Sequence, residues 1–356
     1  MSLEEMELVL LCAGRRGHLR SQDEGVFDYF SFFRLGDSGR CCRNDPHHPL
    51  TTTVAALKLC HRHNHSLSWL KQMTSTETTS IAIRDIETVS EMHQVEFLEK
   101  EIWGCDDLDV LPATMLSASR EVGGVLIGAY NNESLVGFVY GFPGLEDGEI
   151  THHSHMLAVK PSQRNLNLGY KLKLAQRERV LAQNIKRITW TFDPLQSLNA
   201  YFNFNKLGVV ADKYKVNFYG ESTTSFLHQF GTDRLWVSWL IQSDRVRRRL
   251  NNESIESSFT SELPRLVQVR KDEPVASEPL EIAGEPHVAI EIPSDINALQ
   301  QKDPALALRW REITREAFTA AISSEYLVQD FFRSTRDEES FGVYVLSTQT
   351  KIADVV

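Results

Sequence analysis

Three histidines within four positions, His152, His153 and His155, stand at the head of an apolar run, Met156-Leu157-Ala158-Val159. Imidazole exchanges a proton near neutral pH, so histidines at the start of a strand are candidate general bases. Side chains alternate across a strand, which puts His153 and His155 on one face and His152 on the other. A histidine serves about as often in buried hydrogen bonding or ring stacking. Glu149 and Asp193 are weaker alternatives, because a carboxylate at a strand end is usually only solvated.

Pro161 ends the apolar run, since proline cannot donate to a strand ladder. The polar loop Lys160 to Asn167 follows, and helical periodicity begins at Tyr170. Tyr170, Leu174, Leu181 and Ile185 fall on one helical face, with Lys173, Arg177 and Arg179 mostly elsewhere, as for a helix laid on a sheet. A helix N-terminus leaves backbone N–H groups pointing outward and carries roughly half a positive charge. That makes a site for an anion, most naturally phosphate, although short polar loops before helices are also common as plain connections.

Around this unit the chain reads as alternating strands and helices. Ile81 to Arg84 is a short strand, and Asp85 is placed to cap a helix that turns Ile86, Val89, Val95, Leu98 and Ile102 inward. Trp103 to Ala113 reads as a loop, either a pocket wall or plain surface. Val125–Tyr130 and Leu135–Tyr140 flank Asn131 to Ser134 as a hairpin. Ile188 to Phe192 alternates like a half-buried strand, and Asp193-Pro194 ends it. A helix follows, with Ser197 as its cap, Ala200, Phe204 and Leu207 at helical spacing, and Gly208 as its stop. Strands near 209–218 and 235–241 come next. The arginines at 245, 247, 248 and 249 suit either a phosphate or, more commonly, a solvated face. Beyond the polar linker 251–261, strands at 266–269, 288–292, 326–332 and 341–346 and a helix from about Pro304 to Ile322 make a smaller α/β unit.

With 356 residues the chain is long enough for one large or two ordinary domains. Three parts are expected: a front extension over 1–79, a core over 80–245 and an α/β extension over 246–356 packed on that core. The net charge of −10 argues against nucleic acid as a partner. No run is apolar for long enough to span a membrane, and no export signal is evident, so a cytoplasmic setting is expected. The front holds Cys12, Cys41, Cys42 and Cys60, four of the five cysteines. With His47, His48, His61, His63 and His65 they could suggest zinc, but paired C-x-x-C and H-x-x-x-H spacing is missing, so no metal is expected. A poorly ordered extension or a mis-assigned translation start accounts for this segment better, and its thiols are expected to be reduced.

The stretch Val159, Pro161, Arg164 and Gly169 resembles the acyl-CoA pyrophosphate loop of the GNAT (GCN5-related N-acetyltransferase) superfamily, with Asn167 where the family has a first glycine. Ser197-Leu198-Asn199-Ala200 with Phe204-Asn205-Lys206-Leu207-Gly208 is similar to a second GNAT signature. Phe204 stands where many members have a tyrosine that protonates the leaving thiolate. Longer strings, HSHMLAV, GYKLKLAQRERVLAQNI, ITWTFDPLQSLNAYFNFNKLG and WREITREAF, resemble a bacterial-type subfamily of N-acyltransferases, some linked to amino-acid N-acylation with succinyl-CoA.

The resemblance implies a mixed, largely antiparallel twisted sheet flanked by helices (α/β, α+β), with the C-terminal α/β extension beside it. It implies acyl-CoA, acetyl or succinyl, as co-substrate and the amine of a small molecule as acceptor, by direct transfer. A catalytically degenerate acyl-CoA-binding module is the alternative. Backbone groups of Leu157 and Val159 would hold the acyl-CoA, with Arg164, Asn165, Leu166, Asn167, Leu168, Gly169, Tyr170 and Asn199 as further contacts and His153 or His155 as base. A homodimer stays open.

Overall fold

A computed structural model describes residues 81–220, 231–253, 263–277 and 284–355. The expectations for residues 1–79, metal site and extension alike, lie outside the described residues. The strands are β1 (Ile81–Asp85), β2 (Val125–Asn131), β3 (Ser134–Glu146), β4 (Glu149–Val159), β5 (Arg187–Phe192), β6 (Val210–Lys215) and β7 (Arg234–Leu240). Then come β8 (Arg265–Arg270), β9 (Glu273–Ala276), β10 (His287–Pro293), β11 (Leu327–Arg336) and β12 (Glu339–Ser347). All join one twelve-stranded sheet in the order β1-β2-β3-β4-β5-β7-β6-β11-β12-β10-β8-β9. Among the described residues only β4 with β5 and β8 with β10 pair in parallel. The mixed, largely antiparallel sheet with further C-terminal strands is thus present, and those strands continue it edge to edge through β6 and β11.

Helices α1 (Val89–Trp103) and α2 (Ala113–Glu121) cover one face of the first strands, packing Met92, Val95, Leu98, Ile102 and Leu116 on Leu126, Tyr130 and Phe138. Thr88, not Asp85, caps α1, in a capping box with Glu91. Asp85 ends β1 and pairs with Arg179 at 3.1 Å, while Val89 is exposed. The stretch 103–113 ends in α2, a helix not evident in the sequence. Its start is held from α1, where Glu99 accepts from the Leu111 N–H and Glu96 from the Ala113 N–H.

Helix α3 (Leu168–Ala182) covers the other face. The face it buries is not the stripe through Tyr170, Leu174 and Leu181, which is only half-buried; Leu168, Leu172, Gln176 and Val180, spaced by four, lie underneath, joined by Lys173. Apolar periodicity missed this face because two of its members are polar and find their partners beneath the helix.

After β5, a short helix α4 (Ser197–Ala200) runs into a π-helical turn, Tyr201–Leu207, and Gly208 closes it at φ 77°. Ser197 does not cap this helix: Gln196 holds that position without a side-chain bond. The arginine run lies on α5 (Asp244–Leu250). Arg245 donates to the carbonyls of Gly208 and Gln329, and Arg249 pairs with buried Asp330 at 3.0 Å, so these two fasten α5 to β11, whereas Arg247 and Arg248 are exposed. Helices α6 (Ile296–Lys302) and α7 (Pro304–Ser323) follow, α7 packing Phe318 on Tyr214 and Tyr344. No helix among the described residues is long and apolar enough to cross a membrane.

Candidate active site

The site begins where β4 leaves β5. Their parallel register covers only His152 with Ile188 and His153 with Thr189, so the strands part toward the C-terminal end of β4. On its other edge β4 stays paired with β3, and the bond from the Lys160 N–H to the Val136 carbonyl fixes which rungs are hydrogen-bonded. Antiparallel rungs alternate. Val159 opposite Gly137 and Leu157 opposite Val139 are therefore the non-bonded rungs, and their main-chain groups turn away from β3 into the gap beside β5.

A β-bulge sits just before this gap. Register passes from Ser154↔Gly141 to Met156↔Tyr140, leaving His155 as the extra residue. Bulges bend a strand and re-aim side chains, and this one opens β4 away from β5 at the histidine cluster. Gly141 is where β3 gives room: a Cβ there would lie 2.4 Å from His152 Nε2 and 2.6 Å from the His153 carbonyl.

His153 and His155 do share a face, their rings 6.3 Å apart and both against Phe142. His153 stacks on Trp236 at 4.9 Å, and its Nδ1 lies 3.1 Å from Thr189 Oγ1. Desolvation, with His155 and Lys173 nearby, lowers its pKa to about 4. His155 is exposed on one side, yet Tyr140 and Phe142 crowd it enough that desolvation lowers its pKa also. Aromatic contacts run on from this pair, from Trp236 to Phe218 and from Phe218 to Tyr219, whose hydroxyl lies 3.3 Å from Thr191 Oγ1. An aromatic floor thus extends from Tyr140 to Tyr219 along one sheet face.

On the opposite face of β4, beneath α3, lies a buried polar chain that sequence reasoning passed over. Lys173 Nζ donates to Ser154 Oγ at 2.7 Å, Ser154 Oγ donates to Gln176 Oε1 at 2.9 Å, and Gln176 Nε2 lies 3.3 Å from His152 Nε2. Lys173 stands 3.9 Å over the Trp190 ring and pairs with no carboxylate among the described residues; burial lowers its pKa to about 7. His152 is fully buried, and desolvation brings its pKa to about 3, so its ring is a neutral structural group. The only sequence signal was a lysine and a glutamine in step with Leu168 and Leu172.

The loop between β4 and α3 is a 3-10 turn, Pro161–Leu166, followed by Asn167 at φ 54°, ψ 33°. Asparagine accepts this left-handed conformation better than most residues. Leu166 and Asn167 are exposed, Arg164 and Tyr170 half-buried, and Leu168 and Gly169 buried at the helix start, so Leu168 can serve a ligand only through its backbone. Asn165 lies in the 3-10 turn. Asn199 Oδ1 and Ser197 Oγ on α4 are buried without a hydrogen-bond partner among the described residues. Of the two carboxylates considered as bases, Glu149 is exposed and Asp193 is held by Arg311 at 2.6 Å through both oxygens.

Phe204 is fully buried, edge-on to Phe192 and Tyr344 at 6.4 and 5.8 Å. Its ring belongs to the core and not to the gap, so tyrosine there would restore no acid. Phe204→Tyr is expected to bury a hydroxyl among rings and cost about 1–3 kcal/mol. A lowered melting temperature without a gain in turnover is the result to look for. An unchanged melting temperature would show that the hydroxyl finds a partner.

Residues 86–208 match the Acetyltransferase (GNAT) family. No curated protein matches the chain. Among solved structures, an aminoglycoside 6'-acetyltransferase type Ii is similar at 19% identity, with a TM-score of 0.36, over 45% of this chain and 97% of that one. The ribosomal-protein-S18-alanine N-acetyltransferase from Escherichia coli is similar at 13% identity, with a TM-score of 0.36, over 46% of this chain and 94% of that one. The matched segment holds α1, the hairpin, the bulged β4, the loop into α3 and the π turn ending at Gly208; residues 86–208 are a GNAT-type acetyltransferase domain within a longer chain.

Proposed function

We propose that the protein is an acyl-CoA-dependent N-acyltransferase acting on the primary amine of a small molecule such as an amino acid, by direct transfer from acetyl- or succinyl-CoA. The observation that carries this reading is the parting of β4 from β5, which turns the main chain of Leu157 and Val159 into a gap beside the N-terminus of α3. An N–H aimed at a thioester carbonyl stabilises the oxyanion of the tetrahedral intermediate. The amine nitrogen forms the new bond to the acyl carbon, His155 accepts its proton, and the C–S bond breaks to release the thiolate. His153, tied to Thr189 and stacked on Trp236, holds its neighbour in place. The helix N-terminus with Arg164 suits the pyrophosphate, and the partnerless oxygen of Asn199 suits an amide N–H of the pantetheine chain. A cytoplasmic setting fits this supply of acyl-CoA.

Thiol release from acetyl-CoA and succinyl-CoA over a panel of amines and amino acids tests the reading; tight CoA binding without turnover on any amine would leave a binding module instead. Titration with CoA tests the loop. Arg164→Ala is expected to weaken CoA roughly ten- to a hundredfold, the worth of a charge-assisted hydrogen bond. Gly169→Leu should cost more, because it puts bulk where the helix backbone must meet phosphate. Asn167→Gly should tighten CoA binding or leave it unchanged. Wild-type affinity in both Arg164→Ala and Gly169→Leu would mean that the loop holds no CoA.

A further inference from the structure

At the far end of the aromatic floor lies a buried group of charges that, among the described residues, does not balance. Asp193 is held by Arg311 through two 2.6 Å bonds, and Asp233 by Arg315 at 2.8 and 3.0 Å, with the Tyr214 hydroxyl donating to Asp233 at 2.9 Å. Each aspartate thus has its own arginine. Arg234 is a third, only 6% exposed, and it forms no ion pair among the described residues. Its Nη1 donates to the Asp233 carbonyl at 2.9 Å, and its guanidinium lies 5.2 Å from the centre of the Tyr219 ring. Among the described residues, three guanidinium groups stand against two carboxylates, one positive charge in excess. A buried charge is costly unless paired, and burial accordingly pulls the pKa of Arg234 below the arginine value despite its acidic neighbours.

The register places this charge at the gap. Thr189 lies opposite His153 on β4 and opposite Ser238 on β7. Two residues on, Thr191 faces Trp236. Arg234 is two further residues along β7, roughly 7 Å beyond Trp236 on the same face, toward the end where β4 and β5 part. The guanidinium therefore lies beyond His153 and Trp236 on the side toward which β4 and β5 part, the side to which the proposed function assigns the acyl group.

We propose that Arg234 is a specificity-determining residue that binds a carboxylate carried by one of the two reactants. This rests on the acyltransfer reading above. The carboxylate has two sources: the α-carboxylate of an amino-acid acceptor, or the distal carboxylate of a dicarboxylic acyl group such as succinyl. A planar guanidinium matches a carboxylate through two parallel hydrogen bonds, and the nearby rings of Trp236 and Tyr219 offer a wall to the rest of that reactant.

The test is calorimetric titration of the wild-type chain and of Arg234→Gln with two matched pairs of probes. N-acetylphenylalanine against its primary amide reads a carboxylate on the acceptor side, and succinyl-CoA against acetyl-CoA reads one on the acyl side. The expected result is that one carboxylate probe binds the wild type ten- to a hundredfold more tightly than its neutral partner, and that this advantage disappears in Arg234→Gln. Which pair shows it identifies the source. Arg234→Lys, which keeps charge and bulk, should retain part of the advantage, and it stands in if the glutamine variant has lost its melting transition. No advantage in either pair, or one that survives in the variants, overturns the proposal. Turnover is scored separately by thiol release: turnover without a carboxylate advantage removes the anion site and leaves the transferase, whereas the advantage without turnover on any amine removes the transferase and leaves the anion site.

Discussion

Replacement of His155 by alanine is expected to lower turnover on the order of a hundredfold or more while leaving CoA affinity close to wild type. His155 is the extra residue of the bulge, carried out of the β3 ladder and open to the gap on one side. His153 is more confined, by Thr189 and by Trp236, and its pKa of about 4 makes it the weaker base. His153→Ala should therefore cost less, about tenfold, by loosening its neighbour. The sign of the pH dependence follows from the direction of the shift. A base acts when neutral, and desolvation lowers the His155 pKa from 6.5, so turnover should rise with pH through an apparent pKa below 6.5. His155→Ala should abolish that acid limb. Turnover unchanged in both variants would leave water, or an amine that arrives already deprotonated, as the proton acceptor.

Asp193→Ala is expected to be the most destabilising of the single changes named here, at about 3–5 kcal/mol. Asp193 lies just past β5 and accepts two bonds from Arg311 on α7, a side chain 2% exposed. Burial alone would raise the Asp193 pKa, but the charge and hydrogen bonds of Arg311 outweigh it and hold the carboxylate below its usual range. Alanine would strand Arg311 and raise the local excess from one positive charge to two, because Arg234 lies nearby. For a domain of this size that loss should lower the melting temperature by roughly 6–20 °C. Asp193→Asn keeps the shape without the charge and should lose nearly as much, whereas Asp193→Asn with Arg311→Met should recover part of it. A drop below about 1 kcal/mol in Asp193→Ala would show that the arginines relax into water.

The strands and the loop between β4 and α3 were legible because their signals are local. Alternating residues mark β5, Pro161 marks the end of β4, and Asn131 to Ser134 marks the hairpin. The C-terminal strands β8, β10, β11 and β12 were legible for the same reason, while four-residue β9 and seven-residue α6 were too short to show a period. What failed depended on partners distant in sequence. Asp85 reads as a cap until Arg179, on another element, takes it. Arg245 and Arg249 look like a solvated run because their acceptors lie some eighty residues away in β11. Lys173 looks like a surface lysine unless Ser154 and Trp190 are known to lie beneath it. The bulge at His155 has no composition of its own. It arises from the pairing of β4 with β3, and so does the exposure of the main chain on which the functional reading depends.

The joining of β6 to β11 also bears on which edges the sheet exposes. Val328↔Ala211 is the rung that links them, with clips from Arg245, Arg249 and Asn205. Because the sheet continues past β6, that strand is not an edge of the sheet. The sheet ends instead on β9, four residues long and carrying Pro274, a poor template for any further strand. The C-terminal strands therefore replace β6 as an edge with a shorter one that carries proline. A chain cut after Ser243 would be expected to gain scattering and thioflavin fluorescence in proportion to its concentration, even where the loop between β4 and α3 stays intact.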